Sequence, residues 1–275
     1  MPEVPGKIKL EHYHRYIFAS HLVKEKKVLD IACGEGYGSE ILAHFSSHVV
    51  GVDISYEAIH HAGQKYKRPN LEFKQGLCNK IPLADSTIDV VVSFETIEHH
   101  DQHEAMFKEI KRVLTPEGIL IISCPEKFQY TDKPRGNNPH HVKELYRHQF
   151  EDLIARHFHN VAFHGQRVVY GSAIFREDGP SSNYTAYWSN DTLAETPGML
   201  QPLYLIAVAS DSEIPPLSSG ILEEPNNEIE IIHSLLYKRD VEISLLYKSL
   251  SWRITKPLRV FLRILGKIRR SITNA

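Results

Sequence analysis

Cysteine is scarce in this chain. The three residues Cys33, Cys78 and Cys124 are too few and too widely spaced for a disulfide framework or a zinc site. Long apolar runs are missing as well: no stretch of about eighteen apolar residues occurs, so nothing reads as a membrane span. Met1-Pro2-Glu3-Val4-Pro5-Gly6 lacks the basic and apolar regions of a signal peptide. A reducing cytoplasm is therefore the expected location. Nor does one sign of charge dominate, since the formal net charge is −2. That balance hides a segregation. Between Trp252 and Arg270 stand Arg253, Lys256, Arg259, Arg263, Lys267, Arg269 and Arg270 with no acid, and removing those seven leaves −9 on the rest. An acidic body argues against nucleic acid as the main substrate, because a phosphate backbone needs a broad positive face.

What is present centres on Val28-Leu29-Asp30-Ile31-Ala32-Cys33-Gly34-Glu35-Gly36-Tyr37-Gly38, an apolar strand breaking into a glycine-spaced turn and a helix start. Gly34 and Gly36 permit positive φ and let a ligand lie against the main chain. The first N–H groups of the helix, Tyr37 to Phe45, would face a carboxylate or phosphate. A tight ligand-free turn is the alternative for this segment alone. About twenty residues on, His48-Val49-Val50-Gly51-Val52-Asp53 is a second strand ending in an acid, which suits the two hydroxyls of a ribose. Dinucleotides and S-adenosylmethionine share that spacing. The acid Asp30 beside the turn would repel a pyrophosphate and suit the ammonium of a methionine moiety.

Asp30 to Gly38, Gly51-Val52-Asp53, Ile81-Pro82-Leu83-Ala84-Asp85, Ile88-Asp89-Val90-Val91, Ser93-Phe94-Glu95-Thr96-Ile97-Glu98-His99 and Arg112-Val113-Leu114-Thr115-Pro116-Glu117-Gly118 resemble, in order, the motifs of class I S-adenosylmethionine-dependent methyltransferases. The resemblance covers about residues 10–210, and the branch it resembles most is associated with bacterial surface-polysaccharide synthesis. It implies an α/β fold, a Rossmann-like seven-stranded sheet that is mostly parallel with an antiparallel edge hairpin. It also implies S-adenosylmethionine as cofactor, S-adenosylhomocysteine as product, and cofactor contacts from Tyr16, Asp30, Ala32, Cys33, Gly34, Gly36, Asp53, Ile54, Leu77, Cys78, Phe94 and Glu95. Two positions depart from the pattern. Ala32 replaces the usual first glycine, and Leu77 stands where many relatives carry an acid for the adenine amine, leaving adenine to backbone groups and Cys78.

Along the chain, apolar spacing predicts a leading helix from Leu10 to Val23. The resemblance puts it over the methionine end with Arg15 and Tyr16 in reach; simple core packing of Tyr13, Tyr16 and Ile17 is the alternative. Strands over 27–31, 49–53, 71–74, 89–94 and 118–124 alternate with helices over 37–45, 56–66 and 103–114, which implies a parallel sheet with its ligand at the C-terminal strand edge. Two polar insertions, 126–141 and 176–199, flank a helix over 145–158 and a strand over 161–169, and a strand over 203–209 closes the domain. Residues 1–210 are thus read as the methyltransferase domain, 211–227 as a linker and 228–275 as a helical tail. Ile229, Leu236, Ile243 and Leu250 recur every seven residues, which fits a short coil that pairs two copies into a homodimer or packs back on the domain. Beyond Pro257, Leu258, Phe261, Leu262, Leu265 and Ile268 share one helical face opposite Arg259, Arg263, Lys267 and Arg270. Such a helix suits the anionic inner face of a membrane, at about 1 kcal/mol per basic residue, or a partner protein.

The reacting centre is expected where strand 89–94 runs into Glu95-Thr96-Ile97-Glu98-His99-His100-Asp101. Methyl transfer to a hydroxyl needs an acceptor held in line and a group to take its proton, a task suited to histidine. His99 leads as general base, with Glu98 orienting it and His100 second; His140 and His141 rank third. Glu95-Thr96-Ile97-Glu98-His99 also resembles a magnesium-holding segment of some ubiquinone-pathway O-methyltransferases. Neighbouring side chains of a regular strand face opposite ways, however, so no metal ligand is assigned. The leading expectation is O-methylation of a sugar hydroxyl, in a surface glycan or a nucleotide sugar. Carbon or nitrogen methylation of another small metabolite, and a catalytically silent cofactor-binding adapter, are the alternatives.

Overall fold

The computed structural model describes residues 7–169, 185–189, 193–197, 201–222 and 228–248. In chain order these form α1 (Lys7–Ser20), β1 (Lys27–Ile31), α2 (Tyr37–Ala43), β2 (His48–Asp53), α3 (Tyr56–Lys65), β3 (Leu71–Gln75), β4 (Ile88–Ser93), α4 (His103–Val113), β5 (Leu114–Pro125), α5 (Arg147–Ala155), β6 (Asn160–Gln166), β7 (Thr185–Ser189), β8 (Leu193–Pro197), β9 (Tyr204–Ser210) and α6 (Glu228–Lys248). Seven strands make one sheet in the order β3-β2-β1-β4-β5-β9-β6. The first five run parallel, and β9 lies antiparallel between β5 and β6. This is the mixed Rossmann-like sheet that the family resemblance implies.

Parallel strands covered on both faces must be apolar on both, and β1, β2 and β4 are. Leu29, Ile31, Val50, Val52 and Val91 point to one face, where Met106, Phe107, Ile110 and Val113 of α4 and Phe150, Leu153 and Ile154 of α5 meet them. Val28, Val49, Val90 and Val92 point to the other, under Tyr16 and Ala19 of α1 and Leu42 and Ala43 of α2. The spacing 106, 107, 110, 113 is one stripe of an α-helix. Opposite the start of β5 the register jumps: Ile88 pairs with Leu114 and Val90 with Ile119, so Thr115-Pro116-Glu117-Gly118 forms an irregularity within the longer strand.

The stretch read as a second polar insertion contains a hairpin, β7 paired antiparallel with β8. Thr185, Tyr187 and Trp188 are strong strand formers that its polar composition masked. The chain divides into two units at residues 222 and 223. The second contributes α6, so the heptad segment is helical as far as Lys248; Leu250 and the basic tail lie outside the described residues. Among the described residues no helix is long and apolar enough to cross a membrane.

Candidate functional site

The glycine turn grows from the alternation of β1. Val28 and Asp30 share a face, so Asp30 points beneath α1 and α2 and away from the turn. It is fully buried. Ser39 Oγ donates to its Oδ2 at 2.7 Å, and Tyr16 OH reaches Oδ1 at 3.2 Å and Oδ2 at 3.4 Å. This corrects the reading of Asp30 as an open partner for an ammonium. Burial pushes its carboxyl up to about 7 against the two hydroxyls, and the Asp53 charge adds to the rise. Tyr16 is likewise buried, standing over Gly38 and edge-on to Phe94 at 5.1 Å.

The turn's two glycines do different things. Gly34 has φ +52°, and nothing lies within 4 Å of where its Cβ would be, so a ligand can rest on its backbone. Gly36, at φ +80°, is closed over: a Cβ there would sit 2.6 Å from Phe73 and 2.8 Å from Ala62. Only Gly34 fits the reading of both as an open cradle; Gly36 is required by packing. Ala32 also adopts positive φ, +57°, and is exposed, whereas Cys33 is buried and its N–H donates to Val52 O. Asp53 ends β2 and spans the crevice. Its Oδ2 accepts Gly34 N–H at 2.8 Å and its Oδ1 accepts Ser55 N–H at 2.9 Å. A carboxylate has about four lone-pair sites, so two remain for hydroxyls.

Ile54, 67% exposed, follows β2, and Leu77, 42% exposed, follows β3, so both lie past the same strand edge as the open turn. Leu77 is held by a bridge to Lys80, and Gln75 Nε2 donates to Ile54 O. Cys78 is half-buried and packs against the first core. Arg112 pins the segment that follows: it donates to Ile81 O, Leu83 O, Asp85 and Glu109, and Glu109 accepts Ile81 N–H. Two blocks separated by about thirty residues in sequence therefore meet as one clamp.

After β4 the chain turns sharply. Glu95 sits at φ +50°, its N–H donating to Ser123 Oγ and its Oε1 accepting from the same hydroxyl at 2.7 Å. Ile97–His99 is a 3-10 turn, which overturns the strand geometry that would have separated Glu98 from His99. Glu98 is buried; that burial, with the neighbouring Glu95 charge, pushes its carboxyl well above the usual range. His99 Nδ1 lies 2.9 Å from His140 O, and its Nε2 lies 3.9 Å from Glu98 Oε1. His100 is turned elsewhere: its Nδ1 accepts Gln102 N–H and its ring packs edge-on to His103.

Two residues outside the assigned site set stand out. Arg15 is fully buried, donates to Gln166 at 2.9 Å, lies 3.6 Å from Glu95 and stacks over Tyr204 at 4.7 Å. His141 comes from the polar loop, and Val142 N–H and Lys143 N–H, both donating to Glu98 O, fasten that loop to the turn. Its ring stacks on Tyr130, stands edge-on to His99 at 5.1 Å, and reaches Glu144 through Nδ1 at 2.5 Å. His-His in a Pro/Gly/Asn-rich loop was the only signal for it in sequence.

The open Gly34 backbone, a carboxylate with spare lone pairs at Asp53, and the exposed apolar pair Ile54 and Leu77 fit a nucleoside whose amino-acid end lies over the turn. Residues 29–122 match the family of methyltransferase domains. Over those residues the chain is similar to S-adenosylmethionine-dependent methyltransferase domains. A Mycolicibacterium smegmatis protein named "Probable S-adenosylmethionine-dependent methyltransferase" is 26% identical over 229 residues, 77% of this chain and 88% of that one. Rv3030 of Mycobacterium tuberculosis, named in the same way, is 35% identical over 149 residues, 52% of this chain and 54% of its own length, so the match spans about half of that relative. The domain shares its fold with YcgJ of Bacillus subtilis, at a TM-score of 0.52 and 16% identity, covering 74% of this chain and all of the other. Weaker matches are named as a sterol 24-C-methyltransferase of Saccharomyces cerevisiae and a phosphoethanolamine N-methyltransferase of Triticum aestivum.

Proposed function

We propose that this chain is an O-methyltransferase acting on a hydroxyl, and that its acceptor is a sugar, in a surface glycan or a nucleotide sugar. When bound, S-adenosylmethionine supplies a methyl group already activated by its sulfonium. Asp53 would hold the ribose hydroxyls, the Ala32–Gly36 turn the amino-acid end, and Ile54, Leu77 and Cys78 the adenine. What remains for the protein is to position and activate the acceptor.

The observation that carries the hydroxyl reading is the convergence of Glu98, His99 and His141 at the end of β4. His140 O can only accept, so His99 Nδ1 carries the proton and Nε2 keeps its lone pair. That lone pair, beside the buried carboxyl group of Glu98, is the group able to draw a proton from an acceptor hydroxyl. Asn138, His140 and the Lys133–Asn138 polar stretch supply hydrogen-bonding side chains of the kind a sugar needs. Carbon or nitrogen transfer is the second reading, favoured by the names of the weaker relatives. The helical segment from residue 228 we read as an appendage that pairs copies or docks the enzyme.

The experiment offers methyl-labelled cofactor to the full chain with nucleotide sugars and glycan extracts. Label in a methyl ether, falling about 100-fold or more in His99→Ala, is expected. Label on nitrogen or carbon, or activity indifferent to His99, would overturn the reading. Asp53→Ala is expected to weaken S-adenosylhomocysteine binding at least tenfold in calorimetry.

A further inference from the structure

The end of β4 brings three side chains with ligand atoms to one place. One ligand atom from each of Glu98, His99 and His141 lies within 4.8 Å of the other two. The tautomers of both imidazoles follow from their fixed partners. His99 Nδ1 donates to His140 O at 2.9 Å, which leaves Nε2 unprotonated and 3.9 Å from Glu98 Oε1. For His141 the neighbouring amide decides. Asn138 Oδ1 accepts His140 N–H at 3.1 Å, so its Nδ2 is the atom 2.9 Å from His141 Nε2. Nε2 is therefore the acceptor, and Nδ1 carries the proton that Glu144 Oε1 receives at 2.5 Å.

Glu98 completes the set. Its side chain is 2% exposed, and among the described residues Oε2 has no hydrogen-bond partner. The buried cation of this end of the sheet, Arg15, meets Gln166 and Glu95 through Nη1; its charge acts on Glu98, but no hydrogen bond joins the two. Two imidazole lone pairs and a buried carboxylate are thus held together by backbone bonds, from Val142 N–H and Lys143 N–H to Glu98 O at 2.8 and 3.0 Å. His141 Nε2 is met by Asn138 and Glu98 Oε2 by no partner; a divalent cation would engage all three side chains at once.

We propose that Glu98, His99 and His141 bind a first-row transition cation such as Zn²⁺ or Mn²⁺. Two nitrogens and one oxygen suit such ions, whereas Mg²⁺ takes oxygen ligands and holds its waters. Glu144, hydrogen-bonded to the far nitrogen of His141 and to Thr131 Oγ1 at 2.8 Å, is the outer carboxylate that orients a ligating histidine. Asn138 must release Nε2 for the ion to enter. Three protein ligands leave coordination positions open; with the His99 lone pair taken up as a ligand, the ion in its place would acidify an acceptor hydroxyl held there. That role rests on the hydroxyl-acceptor reading; the site itself does not.

The test is calorimetry of the chelator-stripped full chain with ZnCl₂, MnCl₂ and MgCl₂, without substrate, alongside S-adenosylhomocysteine binding on the same preparation. We expect one Zn²⁺ or Mn²⁺ per chain, with affinity falling about 10–100-fold or more in His141→Ala and in the solvent-facing His99→Ala, and about tenfold in Glu144→Gln. Failure to bind either ion, binding unchanged in His141→Ala and His99→Ala, or preference for Mg²⁺ would overturn the proposal. Loss of S-adenosylhomocysteine binding instead would strike the cofactor reading and leave the cation result standing.

Discussion

Replacing Asp30 by asparagine tests whether a buried acid, and not an open ligand, sits under the glycine turn. Its folded-state value of about 7 lies some three units above the ordinary 3.8, so the folded chain binds a proton that the unfolded chain has lost. The stability Asp30 contributes is therefore complete below pH 4 and disappears as pH rises through 7. Three units amount to about 4 kcal/mol over the whole window, of which about 2.5 kcal/mol falls between pH 5 and pH 8. Asparagine cannot titrate. It keeps one oxygen for Ser39 or Tyr16 and loses the other, a cost of about 1 kcal/mol that is the same at every pH. In urea denaturation at pH 5, 6, 7 and 8, Asp30→Asn should thus be the less stable protein at pH 5 and gain on the native chain by about 2.5 kcal/mol by pH 8. Parallel stability–pH curves for the two proteins would refute the reasoning, since they would mean that the carboxylate ionises in the fold as freely as in water.

The two glycines of the turn should separate when each is changed to alanine. Gly36→Ala meets Phe73 and Ala62 at a positive φ and should cost about 3 kcal/mol of stability, read by urea denaturation. Gly34→Ala has open space and should cost only about 1 kcal/mol, while its new methyl group weakens S-adenosylhomocysteine binding in calorimetry. Ala32→Gly removes left-handed strain at an exposed site and should stabilise by a net 0.5–1 kcal/mol or about 1–3 °C in Tm, after the extra freedom glycine gives the unfolded chain.

The sheet was legible because its central strands β1, β2 and β4 are short apolar runs punctuated by glycine and proline, and the mixed strands β3 and β6 follow in the order that frame sets. The ends shifted by a few residues, as at β5, where Thr115-Pro116-Glu117-Gly118 reads as a turn but is carried within the strand. The β7–β8 hairpin was hidden because its strand formers sit among polar neighbours. Asp30 was misread although the period of two in Val28-Leu29-Asp30-Ile31 already puts it on the face of Val28. Gly36 could not be told from Gly34, because what distinguishes them is Phe73, thirty-seven positions away. The nearness of His141 to His99 depends on backbone bonds from Val142 and Lys143 to Glu98, and no local pattern encodes those.

Two of the strained backbone positions among the described residues sit where the sheet splits. β1 hands the chain to α2 on one face and β4 hands it to α4 on the other, so the loops after these adjacent strands diverge and leave a crevice. Ala32 and Glu95, the residues that open those two loops, both hold left-handed backbone at about 1 kcal/mol or more each, with Gly34 and Gly36 continuing it. Relaxed turns would let the chain leave the strands flat. The left-handed turns aim Gly34 N–H at Asp53 on one side and bring Glu98 and His99 round a 3-10 turn on the other. Ser123, which bonds Glu95 through both its hydroxyl proton and its lone pair, offsets the cost at the second loop. Holding the Asp53 carboxylate on one lip of the crevice and the Glu98–His99–His141 cluster on the other, as the proposed function needs, requires both bends, which gives a reason to keep them against their cost.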